Sequence, residues 1–271
     1  MQQVRQPACA GSFYPGQGQV LSKAMDAMLA TARRHVGMLS AVPKAIIVPH
    51  AGYTYSGSMA ALAYARLSPG SKTIRRVVML GPVHRIPVRG LALPGVDAFA
   101  TPLGNVEVDQ PAIAAITALR QVVVSLAAHA LEHSLEVQLP FLQAVLDDFK
   151  VVPLAVGDAT SAEVAQVLEA LWGGPETLIV ISSDLSHFLP YGTAQSVDHE
   201  TVETILNLAG PLTHGQACGG TPINGLLLAA KHHDLKPQLL GLGNSGDTAG
   251  DKRRVVGYAS FAFVQGEDDV Q

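Results

Sequence analysis

The segment Ile46-Ile47-Val48-Pro49-His50-Ala51-Gly52-Tyr53 decides the fold of this chain. Its apolar run is typical of a buried strand, and His50 follows where a glycine allows the chain to turn. The same pattern recurs at residues 77–82 and 178–183, and the polar side chains that come next are His84, Asp184 and His187. In open α/β sheets, ligands bind beyond the carboxyl ends of the strands. The sequence therefore predicts a site where these strand ends meet.

Strands alternate with helices along the chain. The pattern predicts helices near residues 20–36, 56–67, 110–120, 134–146, 161–172, 193–208 and 221–233. It predicts strands near residues 44–49, 76–80, 90–93, 122–125, 150–156, 177–182, 238–242 and 255–264. This alternation favours an α/β fold, and the apolar strands favour a largely parallel central sheet covered on both faces. We expect one domain, residues 1–271, built as a three-layer sandwich around a mixed sheet.

Two of the predicted strands depart from the parallel pattern. Pro153 lies within residues 150–156 and cannot donate a ladder hydrogen bond, so we expect this strand at an edge or at a bulge. The final strand, residues 255–264, is less uniformly apolar than the others, and we expect it to run antiparallel to its neighbour.

Composition excludes several classes of protein. Apolar residues make up 48% of the chain, and the net charge of −4 with scattered basic residues does not indicate a nucleic-acid partner. No run approaches the ~18 apolar residues of a membrane span, and the N-terminal residues lack the apolar region of a signal peptide. Two cysteines do not make a disulfide framework in a chain of this length. We expect a cytoplasmic protein with reduced thiols and no membrane partner.

Imidazole side chains at strand ends are candidate metal ligands. His50 and His84 form a plausible pair, since imidazole suits iron, copper, zinc and nickel. The third ligand could be Asp184, which would give the two-histidine, one-carboxylate set of non-heme iron(II) sites, or Cys218. Two glycines and a helix start follow Cys218, and this setting favours a thiolate. Spacing in the sequence does not choose between these two ligands.

Three further side chains are candidates for proton transfer or for orienting a ligand. His187 is a candidate general acid or base, because imidazole ionises near neutral pH. Asp184, three residues earlier, would share a face with it in a helical turn. His133 lies between Glu132 and Glu136 in a polar helix entry, and we interpret it as a catalytic or ligand-orienting residue. For five of the other histidines we expect solvated side chains: His35, His199, His214, His232 and His233.

Five motifs resemble the Memo family, whose prokaryotic members are called AmmeMemoRadiSam system protein B. They are PHAGY at 49–53, LGPVH at 80–84, EHSLEVQLP at 132–140, SSDLSH at 182–187 and CGGTPI at 218–223. RQP at 5–7 and AGSFYP at 10–15 are similar to the family's opening as well. The resemblance covers nearly the whole chain, with the motifs in order.

The resemblance implies a fold similar to LigB-type class III extradiol dioxygenases, which use non-heme iron(II). It also implies a metal site formed by His50, His84 and Cys218, with Asp184 and His187 lining it. The third metal ligand of the dioxygenases is a carboxylate, whereas this pattern has Cys218 at the matching position. This difference disfavours ring-cleaving activity. A thiolate ligand also favours copper more than a carboxylate does. The family association further implies a functional link to radical-SAM and AMMECR-type proteins.

Three functions are compatible with these residues. The first is a metal-dependent, dioxygenase-like oxidoreductase that acts on a small molecule with Fe(II), or with copper or zinc as alternatives. The second is a non-catalytic module that binds a peptide, a phosphate-bearing group or a metal in the same pocket, with Tyr53, Tyr55, Arg85 and Arg89 at its rim. The third is zinc-dependent hydrolysis, which requires a metal-bound water.

Overall fold

Among the residues that the structure describes, nine strands form a mixed sheet at the centre of the fold. The computed structural model describes residues 2–36, 41–248 and 250–266. The strands are β1 (Val4–Arg5), β2 (Ala45–Val48), β3 (Arg76–Pro82), β4 (Leu91–Leu93), β5 (Ala98–Thr101), β6 (Gly104–Glu107), β7 (Val122–Val124), β8 (Lys150–Val156), β9 (Thr177–Ser182), β10 (His187–Leu189), β11 (Leu235–Asn244) and β12 (Val255–Gln265). The helices are α1 (Gly18–Val36), α2 (Tyr53–Ala65), α3 (Gln110–Ile116), α4 (Leu126–Ala130), α5 (Leu139–Val145), α6 (Ser161–Ala170), α7 (Tyr191–Leu206), α8 (Gly220–His232) and α9 (Ser245–Thr248).

Four adjacent parallel strands form the middle of this sheet, in the order β2-β9-β3-β8. β12 pairs antiparallel with β2, and both β10 and β11 pair antiparallel with β12. β4 and β7 extend the other side of the sheet. The strands β1, β5 and β6 form a separate small sheet. The prediction of a largely parallel central sheet with an antiparallel last strand is confirmed.

The parallel strands bury side chains on both of their faces. Along β2, Ile46 and Val48 pack in one apolar core, whereas Ala45 and Ile47 pack in the other. The first core includes side chains of α1, α2 and α5, and the second includes side chains of α6, α7 and α8. This explains why the strands have no polar face in the sequence, and it confirms the three-layer arrangement. Among the described residues, no helix combines the length and apolar character needed to cross a membrane.

The strand that contains Pro153 lies inside the sheet, so its predicted position at an edge or bulge is wrong. β8 pairs with β3 along its whole length and also with β4. The carbonyl of Val151 accepts a hydrogen bond from the Asp109 amide, 2.8 Å away, so it points away from β3. The backbone groups of Pro153, two residues later, point to the same side of β8, towards β4. On that side only Ala155 and Val156 of β8 pair with β4. The missing proline amide therefore removes no ladder bond.

The helix predicted over residues 134–146 is also wrong in its first half. A turn of 3₁₀ helix covers Glu136–Gln138, and the α-helix begins only at Leu139. Ser134 donates its hydroxyl to the carbonyl of Pro82, and Gln138 donates its side-chain amide to the carbonyl of Pro49. These long-range hydrogen bonds tie the segment to the ends of β3 and β2 and hold it away from a continuous helix.

Candidate metal centre

His50 lies two residues beyond β2 and is 2% exposed. Its Nδ1 lies 2.9 Å from the hydroxyl oxygen of Ser182, at the end of the neighbouring strand β9. Its backbone amide donates to Asp184 Oδ1, 2.8 Å away. The ring and the backbone of His50 are thus both fixed by the strand end beside it, which leaves Nε2 facing the site.

His84 occupies the equivalent position two residues beyond β3, and Glu132 fixes it twice. The His84 amide donates to Glu132 Oε2 at 2.6 Å, and His84 Nδ1 lies 2.8 Å from Glu132 Oε1. The His84 side chain is 30% exposed and borders a cavity. Its Nε2 is the ring nitrogen that remains for a ligand.

His133 completes a group of three histidines that the sequence did not predict as ligands of one ion. It lies in the loop after α4, with Nδ1 3.2 Å from Glu132 Oε1, and its ring stacks on His84 with centroids 4.6 Å apart. The centroid of the His50 ring is 5.3 Å from that of His133 and 5.2 Å from that of His84. One ring nitrogen from each histidine lies within 4.8 Å of the other two.

The protonation state of these groups suits a cation. Burial, reinforced by the neighbouring His133 and His84 rings, holds the pKa of His50 well below its usual value, so this ring is neutral and able to bind a metal. For Glu132, burial would raise the pKa, but hydrogen bonds from His133, His84 and the Ser134 amide together outweigh it and hold the pKa far below the usual value. A permanent carboxylate behind two imidazoles raises their basicity as metal ligands.

Cys218 contacts His50 from the loop that precedes α8. Its Sγ lies 3.3 Å from His50 Nε2 and 3.9 Å from the Ser183 hydroxyl. Burial and the charge of Asp184 raise the pKa of Cys218 to about 12, so the expectation of a thiolate at this helix start is wrong for the protein without an ion. A coordinated metal ion deprotonates a thiol, so Cys218 is a competent ligand once an ion is bound.

Asp184 lies in the irregular segment after β9 and His187 lies in a strand, so the prediction that they share the face of a helical turn is wrong. The Asp184 carboxylate accepts the His50 amide, and burial raises its pKa despite that hydrogen bond. His187 begins β10, and its Nδ1 lies 2.8 Å from the carbonyl of Leu185. This contact makes Nδ1 the protonated nitrogen and leaves Nε2 as an acceptor.

A cavity of about 790 Å³ opens beside these residues. Its lining includes His84, Arg85, Asp158, His187, His214 and Cys218. His214, which we expected to be merely solvated, is exposed and borders this cavity. The cavity gives a small ligand direct access to two of the candidate metal ligands.

The model of the Memo-like protein family matches residues 5–262. The chain belongs to the Memo family. A MEMO1 family protein of Methanosarcina barkeri is 37% identical over 276 residues, which cover 95% of this chain and 99% of that protein. A MEMO1 family protein of Aquifex aeolicus is 36% identical, covering 96% of this chain and 99% of that protein.

The fold also resembles a solved structure, that of an uncharacterized protein from Escherichia coli K12. The TM-score is 0.50 at 17% identity, and the match covers 80% of this Memo-family chain and 98% of the other. At this identity the likeness concerns the fold alone.

Several residues that build the site in this Memo-family protein were not recognised in the sequence. Ser182 anchors His50, and Gln138 in turn donates to the Ser182 hydroxyl at 2.9 Å. Both positions are 0% exposed, and a buried polar side chain requires such partners. Glu136, which we grouped with His133, instead binds Arg5 and Tyr14 on the N-terminal segment. The partners of these buried side chains come from distant parts of the chain, so spacing in the sequence did not identify them.

Proposed function

We propose that this Memo-family protein is a metal-dependent oxidoreductase whose ion is held by His50, His84 and Cys218. The observation that carries this proposal is the fixed pair of imidazoles, in which each Nδ1 is held by a neighbouring side chain and each Nε2 is left for the site. The Cys218 sulfur lies 3.3 Å from Nε2 of His50. A histidine with only a structural role in a core does not require its second ring nitrogen to lie close to those of other histidines, as these do. Two imidazoles and a thiol form a borderline-to-soft donor set that suits iron and copper, with zinc as a third choice.

His133 is an additional candidate ligand for the same ion. Its ring nitrogen belongs to the group within 4.8 Å, and it shares the Glu132 carboxylate with His84. We expect His133 to act as a ligand or as a hydrogen-bond donor beside the ion. Removal of His133 should therefore weaken metal binding less than removal of His50, whose Nε2 faces both the histidines and the thiol.

The remaining polar groups have distinct roles in this proposal. His187 presents Nε2 to the cavity and exchanges a proton with a bound substrate. Asp184 holds the His50 backbone and so orients the ligand without contacting the ion. A bound iron or copper ion would supply one-electron chemistry beside the cavity that His84 and Cys218 line. We do not assign ring cleavage, because the donor set contains a thiol in place of a carboxylate.

The experiment is elemental analysis of protein purified without oxygen, paired with oxygen uptake in the presence of iron(II) and reductant. We expect about one iron or copper ion at this site, lost in His50→Ala and retained in His35→Ala, whose side chain is exposed on α1. Oxygen uptake that disappears with His50→Ala supports the oxidoreductase. Full metal occupancy in His50→Ala would overturn the ligand assignment.

A second candidate function is a binding module that uses the same cavity without turnover. It is favoured by Arg85, His187 and His214, which bring positive or ionisable groups to the lining and suit a peptide or small molecule with an anionic group. Arg89, expected at the rim, instead pairs with Glu163 at 2.8 Å, and Tyr53 donates to the carbonyl of Val137. Stoichiometric metal without oxygen uptake, together with ligand affinity that survives His187→Ala, would favour this candidate.

Two expectations about cellular context stay predictions. One is location in the cytoplasm, and the other is a functional link to radical-SAM and AMMECR-type proteins. Co-purification of such partners with the intact chain is the direct measurement of the second expectation.

A further inference from the structure

A second cluster of metal-binding side chains lies where α6 and α8 end. His232 Nδ1 is 3.0 Å from Glu169 Oε1, and His233 Nε2 is 2.8 Å from Glu169 Oε2. The three donor atoms lie within 4.8 Å of one another. None of these residues lines the cavity beside His84, so this cluster is separate from the candidate metal centre.

The surrounding structure holds the three side chains in place. The His233 ring stacks on Trp172, with centroids 3.8 Å apart and planes inclined by 9°. The helices α6 and α8 approach closely at Gly225, where an added Cβ would lie 2.2 Å from a Val164 side-chain atom. Helix packing therefore fixes the backbone position of Glu169 relative to the two histidines, so their proximity does not depend only on the rotamers that these side chains adopt.

Electrostatics at this location also favours a cation. Glu169 lies in the last turn of α6, and His232 is the last residue of α8. The carboxyl ends of both helices carry partial negative charge, which stabilises positive charge nearby. Burial would raise the pKa of Glu169, but the hydrogen bonds from His232 and His233 outweigh it, so the carboxyl is ionised at neutral pH.

We propose that Glu169, His232 and His233 bind a divalent transition-metal ion at the surface of the protein. Two imidazoles and a carboxylate suit nickel, copper and zinc, and the affinity should be highest for copper(II). The His232 side chain is 72% exposed, so water fills the remaining coordination positions. The ion takes the place of the hydrogen bonds that now join the carboxylate to the two rings.

The only tryptophan of the chain provides a direct readout. Trp172 stacks on His233, so a paramagnetic ion on that ring quenches its fluorescence. The experiment titrates nickel(II) into the full-length His50→Ala variant, in which the other centre has lost a ligand. Nickel(II) is chosen because, unlike copper(II), it does not oxidise the thiols of Cys9 and Cys218.

We expect saturable quenching with one nickel ion per chain in this background. Adding His232→Asn, or separately Glu169→Gln, should abolish the saturable phase, whereas His199→Asn on the exposed face of α7 should leave it unchanged. Quenching that persists in both ligand variants, or that is absent from the His50→Ala protein, would overturn the proposal. Circular dichroism of each variant verifies that the protein is folded.

A second measurement does not depend on fluorescence. An ion that joins the ends of two packed helices binds the folded chain better than the unfolded chain and raises the melting temperature. Zinc(II) should therefore raise the Tm of the His50→Ala protein but not that of the variant that also carries His232→Asn. Equal shifts in the two proteins would contradict the site.

Discussion

The Glu132 carboxylate holds His84 by both its backbone and its ring, through contacts of 2.6 and 2.8 Å. The same carboxylate lies 3.2 Å from Nδ1 of His133. One buried acid therefore sets the orientation of two of the three clustered imidazoles. Its influence on an ion would be exerted entirely through those rings.

Glu132→Gln tests this role. The substitution keeps the size of the side chain but removes its charge. Its single oxygen cannot accept from the two rings and from the His84 backbone amide, as the two carboxylate oxygens do. We expect metal affinity to fall about 10- to 100-fold, measured by competition with a chelator under anaerobic conditions. Glu200→Gln, at an exposed position on α7, is the control. Unchanged affinity in Glu132→Gln would show that the rings are held by packing instead.

Gly219 allows the loop with Cys218 to approach the end of β9. A Cβ at this position would lie 2.6 Å from Ser183 Cβ and 2.9 Å from the carbonyl oxygen of Ser182. We predict that Gly219→Ala destabilises the protein by about 1–3 kcal/mol through overpacking, as measured by urea unfolding. Gly215→Ala in the same loop, where the nearest atom is 3.8 Å away, should have little effect. Similar stability of the two variants would disprove the steric argument.

A buried ion pair fastens the N-terminal segment to the centre of the protein. Arg5 and Glu136 lie 2.7 Å apart, with side chains 5% and 0% exposed. Arg5→Met leaves the Glu136 charge without its cation, and we expect a loss of about 3–5 kcal/mol in the free energy of unfolding. The control is Arg75→Met, which breaks an exposed pair with Asp148 and should cost at most about 1 kcal/mol. Comparable losses would mean that burial does not set the strength of the pair.

The buried His129 predicts a pH dependence of stability. Burial lowers its pKa from 6.5 to about 4, although a hydrogen bond to the Ala92 carbonyl opposes the shift. Between these values the unfolded chain binds a proton that the folded chain does not, so stability falls as pH decreases from about 6.5 to about 4. The loss amounts to roughly 3 kcal/mol at 1.36 kcal/mol per pKa unit.

The variant His129→Gln keeps a side-chain donor and cannot titrate. Its stability difference from the wild type should therefore change by that amount between pH 7 and pH 4, as measured by urea unfolding at each pH. His199→Asn, an exposed histidine variant, should show no comparable change. A pH-independent difference for His129→Gln would mean that His129 has the same pKa in the folded protein as in the unfolded chain.

Much of the fold could be predicted from apolar runs. The strands β2, β3 and β9 are buried on both faces, so their sequences had to be continuously apolar. His50 and His84 follow the ends of strands that both pair with β9 in the parallel sheet, as the pattern indicated. That placement required only the rule that parallel strands end at one edge.

The rest of the site depends on contacts that no local pattern contains. His133 reaches the other histidines from a loop, because Ser134 and Gln138 bind the ends of two distant strands. The hydrogen-bond partners of Ser134 and Gln138 can be identified only once the order of the strands in the sheet is known. The thiol of Cys218 is similar: its helix start favoured a thiolate, but burial beside Asp184 determines its protonation.

The position of β9 in the sheet has a consequence for when the site can exist. β2 and β3, whose ends lead to His50 and His84, do not pair with each other, since β9 lies between them. β9 covers residues 177–182, so the ribosome makes it long after both histidines. A nascent chain that ends before this strand has both imidazoles but no framework to fix their separation. An ion held by the proposed ligand set would therefore be loaded after translation has passed β9, and Cys218, which follows later in the chain, would delay completion of that set further.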